Sequence, residues 1–176
     1  MLQLGYNCVT DIAALGLERL PELKVLYLQG NEITHVTGLE GCHALRELVL
    51  DKNKIKAIEP GSFVGLTQLQ ELRIQENGLR NLNGLQMLVS VQVLALSYNR
   101  LAETADLERL ASLPHVTELW LVNNPIARKQ LYRAATIRRM PWLRLLDGKE
   151  VTADELDRSE VCAWVCAPLP PTRFAL

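Results

Sequence analysis

No stretch of this chain approaches about 18 uninterrupted apolar residues, the length that a membrane-spanning helix needs. Its beginning has neither a basic start nor an apolar run, so no secretory leader is expected. Charge is nearly balanced, with a formal net of −1, which points to neither a nucleic-acid binder nor an acidic tail protein. Only four cysteines are present, Cys8, Cys42, Cys162 and Cys166, too sparse for a secreted disulfide scaffold. Cys162 and Cys166 have the spacing of a disulfide or half a metal site, but no His or further Cys lies near them, so structural or free thiols are expected. A Gly-rich phosphate loop, a nucleophile elbow and metal-ligand spacing are all missing. His35, His43 and His115 have no evident carboxylate or thiol constellation. The expectation is a non-enzymatic protein with no cofactor and no metal.

Apolar residues make up 48% of the 176 positions, enough for one domain with a substantial core. Their arrangement is periodic. Asn7, Asn31, Asn53, Asn77, Asn99 and Asn124 recur at intervals of 24, 22, 24, 22 and 25 residues. Each falls in a run of the form LxxLxLxxNxL, as in Leu45–Leu48–Leu50–Asn53–Ile55 and Val116–Leu119–Leu121–Asn124–Ile126, the copy at Asn7 lacking its beginning. Such a period predicts a leucine-rich-repeat solenoid of the α/β class, with a curved parallel concave sheet and short helices and turns on the convex side. Residues alternate along a strand, so the fourth and sixth positions of each repeat point inward. The Asn falls where the chain leaves the sheet. Its amide carries donors and an acceptor, so the six are expected to form a ladder that satisfies buried backbone groups. A second apolar set, including Val36, Leu39, Ile58, Phe63, Leu82 and Leu107, completes a core shared between coils.

The boundaries follow from the period: a partial repeat over 1–22, repeats one to five over 23–126, a C-terminal cap over 127–160 and an apolar tail over 161–176. Within the cap, Leu131, Tyr132, Ile137 and Met140 have helix-compatible spacing. Pro141 stops that helix, Trp142–Gly148 reads as a final strand and turn, and Thr152–Glu160 as a short polar helix. The tail, with Trp164, Pro168, Pro170 and Pro171, matches no repeat. Repeat sequence starting at Met1 predicts an open strand edge. Such an edge suits a fragment of a longer array, a covering chain or self-association.

Several strings carry a family resemblance: Leu4–Asn7 (LGYN), Leu26–Thr34 (LYLQGNEIT), Asp51–Ile55 (DKNKI) and Asn124–Lys129 (NPIARK). Through them the array to about Arg158 resembles the last repeats of the leucine-rich-repeat-containing protein nine family. Asn124-Pro125-Ile126, Tyr132-Arg133, Ile137, Pro141-x-Leu143 and Leu146-Asp147-Gly148 resemble the C-terminal cap of intracellular leucine-rich-repeat proteins. That class includes a nuclear phosphatase regulator, a spliceosomal A-prime protein and an axonemal dynein light chain. The likeness implies the fold strongly and function weakly. With neither a secretory leader nor flanking disulfide modules, a cytoplasmic or ciliary location is favoured. Ile58–Leu66, by contrast, resembles the longer repeats of extracellular receptors such as variable lymphocyte receptors. An extracellular location stays open on that ground, should a leader have been removed.

The displayed positions are the third, fifth, seventh and eighth of each repeat. They predict a ligand-binding face made of Tyr27, Glu47, Val49, Asp51, Glu71, Arg73, Glu76, Tyr98, Glu118 and Trp120. Across these positions five carboxylates face two cations, Arg73 and Lys52, with three large aromatics. Aromatics on an open sheet suit an interaction site, and the carboxylates suit a cationic or hydroxyl-rich partner. The bland alternative has Arg73 and Arg46 compensating the acids locally. The expected partner is a protein, or alternatively a component of a microbial surface. Nucleic acid and membrane insertion are not expected, and a purely structural spacer in a longer array is the third possibility. The cap has the opposite charge, with Arg128, Lys129, Arg133, Arg138, Arg139, Arg144 and Lys149, read as serving structure and solubility.

Overall fold

The computed structural model describes residues 1–165, with side chains through 159. The pairing of Cys162 with Cys166 and the tail from Cys166 onward lie outside the described residues. Eight short strands form one sheet in chain order: β1 (Leu2–Gln3), β2 (Val25–Tyr27), β3 (Glu47–Val49), β4 (Glu71–Arg73), β5 (Val93–Ala95), β6 (Glu118–Trp120), β7 (Leu145–Leu146) and β8 (Lys149–Glu150). Every pair from β1 to β7 is parallel, and β8 turns back antiparallel on β7. The chain is a leucine-rich-repeat solenoid.

Register is set by the leucines. Leu26, Leu48, Leu72, Leu94, Leu119 and Leu146 stand opposite one another across successive strands, all fully buried. A slip of one residue would turn this whole row to solvent, so burial locks the pairing. The return segments supply the other wall of the core, including its bulkiest fully buried side chain among the described residues, Phe63. They are irregular turns, brief 3-10 helices and one α-helix, α1 (Ala105–Leu110). Buried Asp106 in α1 accepts hydrogen bonds from Leu82 N (3.1 Å) and Arg109 Nη1 (3.1 Å). It thereby ties one return segment to the one before it. Cys42 is buried as a small apolar residue, its thiol directed at Leu17 O (3.3 Å).

Five asparagines bridge adjacent coils in the same way. Asn53 Nδ2 donates to Leu28 O (2.9 Å) and Leu50 O (3.0 Å), and its Oδ1 accepts from Ile33 N (3.1 Å). Asn31, Asn77, Asn99 and Asn124 likewise accept from Val9 N, Ile55 N, Leu79 N and Leu101 N. Asn7 departs from the expected interior ladder. It is exposed and bonds only within its own repeat, to Leu4 O and Gly5 O. A rung needs a coil on the side it reaches back to, and here β1 is the edge.

The residue before each of the six repeat asparagines has a positive φ: Tyr6, Gly30, Lys52, Glu76, Tyr98 and Asn123. Only Gly and Asn adopt this conformation readily, and only Gly30 and Asn123 are of those types. Gly30 has a second constraint, because a Cβ there would meet the Tyr6 ring at 2.5 Å. The bend is imposed by stacking, since each of these residues from Tyr6 to Tyr98 donates its N–H to the next coil's carbonyl.

The segment expected as a cap contains α2 (Tyr132–Arg139), the β7–β8 turn and α3 (Ala153–Val165). Thr152 and Glu155 form a capping box, each side chain accepting from the other's backbone N–H. The expected polar helix therefore begins where its composition suggests but continues past Glu160. Leu131 departs from the expected buried face: it is 71% exposed and has a positive φ just ahead of α2.

Candidate ligand-binding face

Two rows of side chains cross the open face of the sheet. One runs Val25, Glu47, Glu71, Val93, Glu118, Leu145, and the other Gln3, Tyr27, Val49, Arg73, Ala95, Trp120. Glu47 and Glu71 are direct register partners on β3 and β4, about 4.8 Å apart at the backbone. Both are half-buried. Burial raises the Glu71 carboxyl above the ordinary carboxylate range, and the Glu47 and Glu118 charges add to that. Tyr27 belongs to the same cluster: the Glu47 carboxylate, as hydrogen-bond acceptor and as charge, pushes its phenol up.

Arg73 offsets part of the negative charge. Its Nε is 3.3 Å from Asp51 Oδ2 and its Nη1 3.8 Å from Glu71 Oε1. Asp51 is thereby withdrawn from display, against expectation. Its carboxylate accepts from Gln75 N at 2.6 Å as well as from Arg73, and its side chain is only 14% exposed. Burial still pushes its carboxyl up, opposed by these two donors. Val49 is the second correction, since it is buried rather than displayed. It lies between Tyr27 and Arg73 on the neighbouring strands, and two long side chains so close cover a short one. Ala95, between Arg73 and Trp120, is covered for the same reason.

The remaining candidates lie towards the margins. Glu76 and Tyr98 are exposed at the positive-φ bends, and Glu76 sits 3.7 Å from Lys52 Nζ. Trp120 is half-buried, its ring beside Gly148, where a Cβ would meet it at 3.1 Å. Glu118 is half-buried in the carboxylate row, one strand beyond Val93. The structure therefore gathers Tyr27, Glu47, Glu71 and Arg73 into one cluster. It sets Glu118 and Trp120 to one side and Glu76 and Tyr98 on the rim.

An ionised Glu71 in this setting works against folding. Its folded pKa is raised, so its favourable contribution is complete below the unfolded value and is lost as pH rises through the folded one. Glu71→Gln is therefore expected to raise the melting temperature at pH 7 and to leave it nearly unchanged below about pH 4. Thermal unfolding at the two pH values checks this, and a lower melting temperature at pH 7 would show that Glu71 serves packing instead.

A family model described as leucine-rich repeat matches residues 63–162, more than half of the chain, and a second matches 21–79. The chain belongs to the leucine-rich-repeat family. It is similar to the U2 small nuclear ribonucleoprotein A' of Schizosaccharomyces pombe, 37% identical over 130 residues, which cover 74% of this chain and 45% of that protein. Human leucine-rich repeat-containing protein 23 is 29% identical over 181 residues, covering 89% of this chain and 51% of that one. The chain thus spans about half the length of these curated relatives. Among solved structures, the SNF/U2A' complex of Drosophila melanogaster matches with a TM-score of 0.60 at 24% identity, over 91% of this chain and 79% of that chain. At that identity the likeness bears on the fold. No helix among the described residues is long and apolar enough to cross a membrane.

Proposed function

We propose that this chain is a non-enzymatic protein-binding module whose concave face receives a cationic segment of a partner. The observation that carries this reading is the Glu47–Glu71 pair in direct register, half-buried and only partly neutralised by Arg73. Like charges placed opposite each other destabilise a sheet, so their presence is accounted for by a function. A lysine or arginine of the partner would remove the repulsion and gain charge-assisted hydrogen bonds, while Tyr27 and Trp120 supply flat apolar contact beside it. The U2A' relative was solved in a complex with SNF, which accords with a repeat array of this kind holding a protein. In this reading repeats over 23–126 form the binding surface, the partial repeat over 1–22 extends it, and the segment 127–160 is a cap. The narrower kinship with the protein nine family and an intracellular location belong to the same proposal.

The test compares the wild type with a Glu47→Gln/Glu71→Gln/Glu118→Gln variant, both immobilised and exposed to cytosolic and ciliary lysate, and to bacterial cells and polysaccharide. The expected result is a protein captured by the wild type and weakened about tenfold or more in the variant, with the variant at least as stable as the wild type. Equal capture by both would overturn the reading. Capture of polysaccharide or whole bacteria, lost in the variant, would transfer the face to microbial-surface recognition.

A further inference from the structure

The cap holds a groove that the proposed function does not use. It lies between α2 and α3, has a volume of about 740 Å³, and is floored by Ala127, Ala134, Ala135 and Ile137. Its rim is basic: Lys129, Arg133, Arg138, Arg139 and Arg158 line it, with Glu155 the one acid among the described residues. Two of these cations are already engaged, Arg133 with Glu155 and Arg139 with Glu108. Lys129, Arg138 and Arg158 are exposed, with no acidic partner among the described residues. The groove therefore joins an apolar floor to an unbalanced positive border.

Leu131 at its mouth adds a separate indication. It is 71% exposed, has a φ of 62°, and gives α2 no side-chain cap. A left-handed leucine costs about 1–2 kcal/mol, and an Asn would suit both the backbone and the solvent. Among the described residues little covers the apolar side chain there, whereas an apolar ligand in the groove would.

We propose that the α2–α3 groove docks an acidic amphipathic segment of a partner protein, its apolar ridge on the alanine floor and its carboxylates on Lys129, Arg138 and Arg158. Helices recognised in this way place anchors at i, i+3, i+4 and i+7. Charge selects this occupant over the chain's own tail. Residues 161–176 contain no Asp or Glu and one cation, Arg173, so they would leave the border unneutralised. The apolar floor likewise favours a protein segment over a nucleic-acid backbone.

The test uses the full chain and a labelled helical peptide with leucines at those four spacings and glutamates flanking them, followed by fluorescence anisotropy. A lysine-flanked counterpart and an oligouridine serve as the other probes. The acidic peptide is expected to bind about tenfold tighter than its lysine counterpart. Arg138→Glu/Arg158→Glu should weaken it about tenfold and Leu131→Asn about fivefold. Leu131→Asn should melt no lower than the wild type, so a loss of binding is not a loss of fold. Equal binding of the two peptides, binding indifferent to Leu131→Asn, or preference for oligouridine would overturn the proposal. So would peptide binding that strengthens in a Leu169→Asp/Phe174→Asp chain, because the tail would then be the natural occupant.

Discussion

Asn99→Ala is expected to destabilise the protein by about 3 kcal/mol, whereas Asn7→Ala should cost less than about 0.5 kcal/mol. The two residues occupy equivalent places in the repeat, and the difference comes from what surrounds them. Asn99 is buried, donates to Ile74 O (2.8 Å), Leu96 O (2.9 Å) and Ser97 O (3.4 Å), and accepts from Leu79 N (3.0 Å). Truncation strands Leu79 N and Ile74 O away from water, each at about 1–3 kcal/mol. Leu96 O keeps a second donor, Asn124 Nδ2 at 2.9 Å, which limits the loss. Asn7 is exposed, and water replaces its two bonds. Asn99→Asp should be nearly as damaging as Asn99→Ala, because an ionised carboxylate accepts but cannot donate to the three carbonyls. Urea unfolding of the three variants decides the matter. Equal effects at positions 7 and 99 would mean that the asparagines act through local turn propensity rather than as bridges.

Arg133→Ala should release the cap at a cost of about 2–3 kcal/mol at neutral pH. Its guanidinium grips Glu155 with both prongs, Nε at 2.6 Å and Nη2 at 2.9 Å, while Nη1 reaches Leu146 O (3.1 Å) and Nη2 also reaches Glu150 O (2.8 Å). One side chain on α2 thus secures the β7–β8 turn and the first turn of α3. Arg133→Lys keeps the charge but loses the planar fork, so it should recover only part of the loss. The effect depends on pH in a defined direction. Hydrogen bonds from Arg133, with help from Thr152, hold the Glu155 carboxyl at about 2, below the ordinary value of about 4.3. A depressed folded pKa contributes stability that is present above the unfolded value and lost as pH falls through the folded one. The gap between wild type and Arg133→Ala should therefore be full at pH 7 and shrink between about pH 4.5 and 2. Thermal melts across that range measure it, and a gap that does not change with pH would assign the loss to the two backbone carbonyls alone.

Arg133 also shows what tertiary structure adds to the cap's charge pattern. Counted along the chain it is one of seven cations with Asp147 as the nearby acid. In space its acid is Glu155, 22 residues away. Asp147 has another task, accepting from Leu121 N (2.6 Å) and from the Tyr132 hydroxyl (3.0 Å). Burial, with Asp147 adding to it, pushes that phenol far above its ordinary value. Tyr132 and Asp147 both stand in the cap motif, yet their hydrogen bond is between residues 15 apart in sequence, a distance that no period describes.

The sequence by itself determined the solenoid, the register of the leucine row and the place of each ladder Asn. Those properties are local: a period-two strand and a fixed step to the bend recur in every repeat, so the pattern is written several times over. Which candidates remain available to a ligand was decided by tertiary structure. Val49 vanishes between Tyr27 and Arg73, Asp51 is captured by Gln75 N, and Asn7 is left in water at the sheet edge. The positive φ at Lys52, Glu76 and Tyr98 follows likewise from stacking, although Gly30 and Asn123 were a visible sign of it. The physical reason is the same throughout. Each outcome depends on the side chain or backbone group one coil away, about 22–25 residues along the chain, where adjacent strands lie close enough for one residue to cover, pair or strain another.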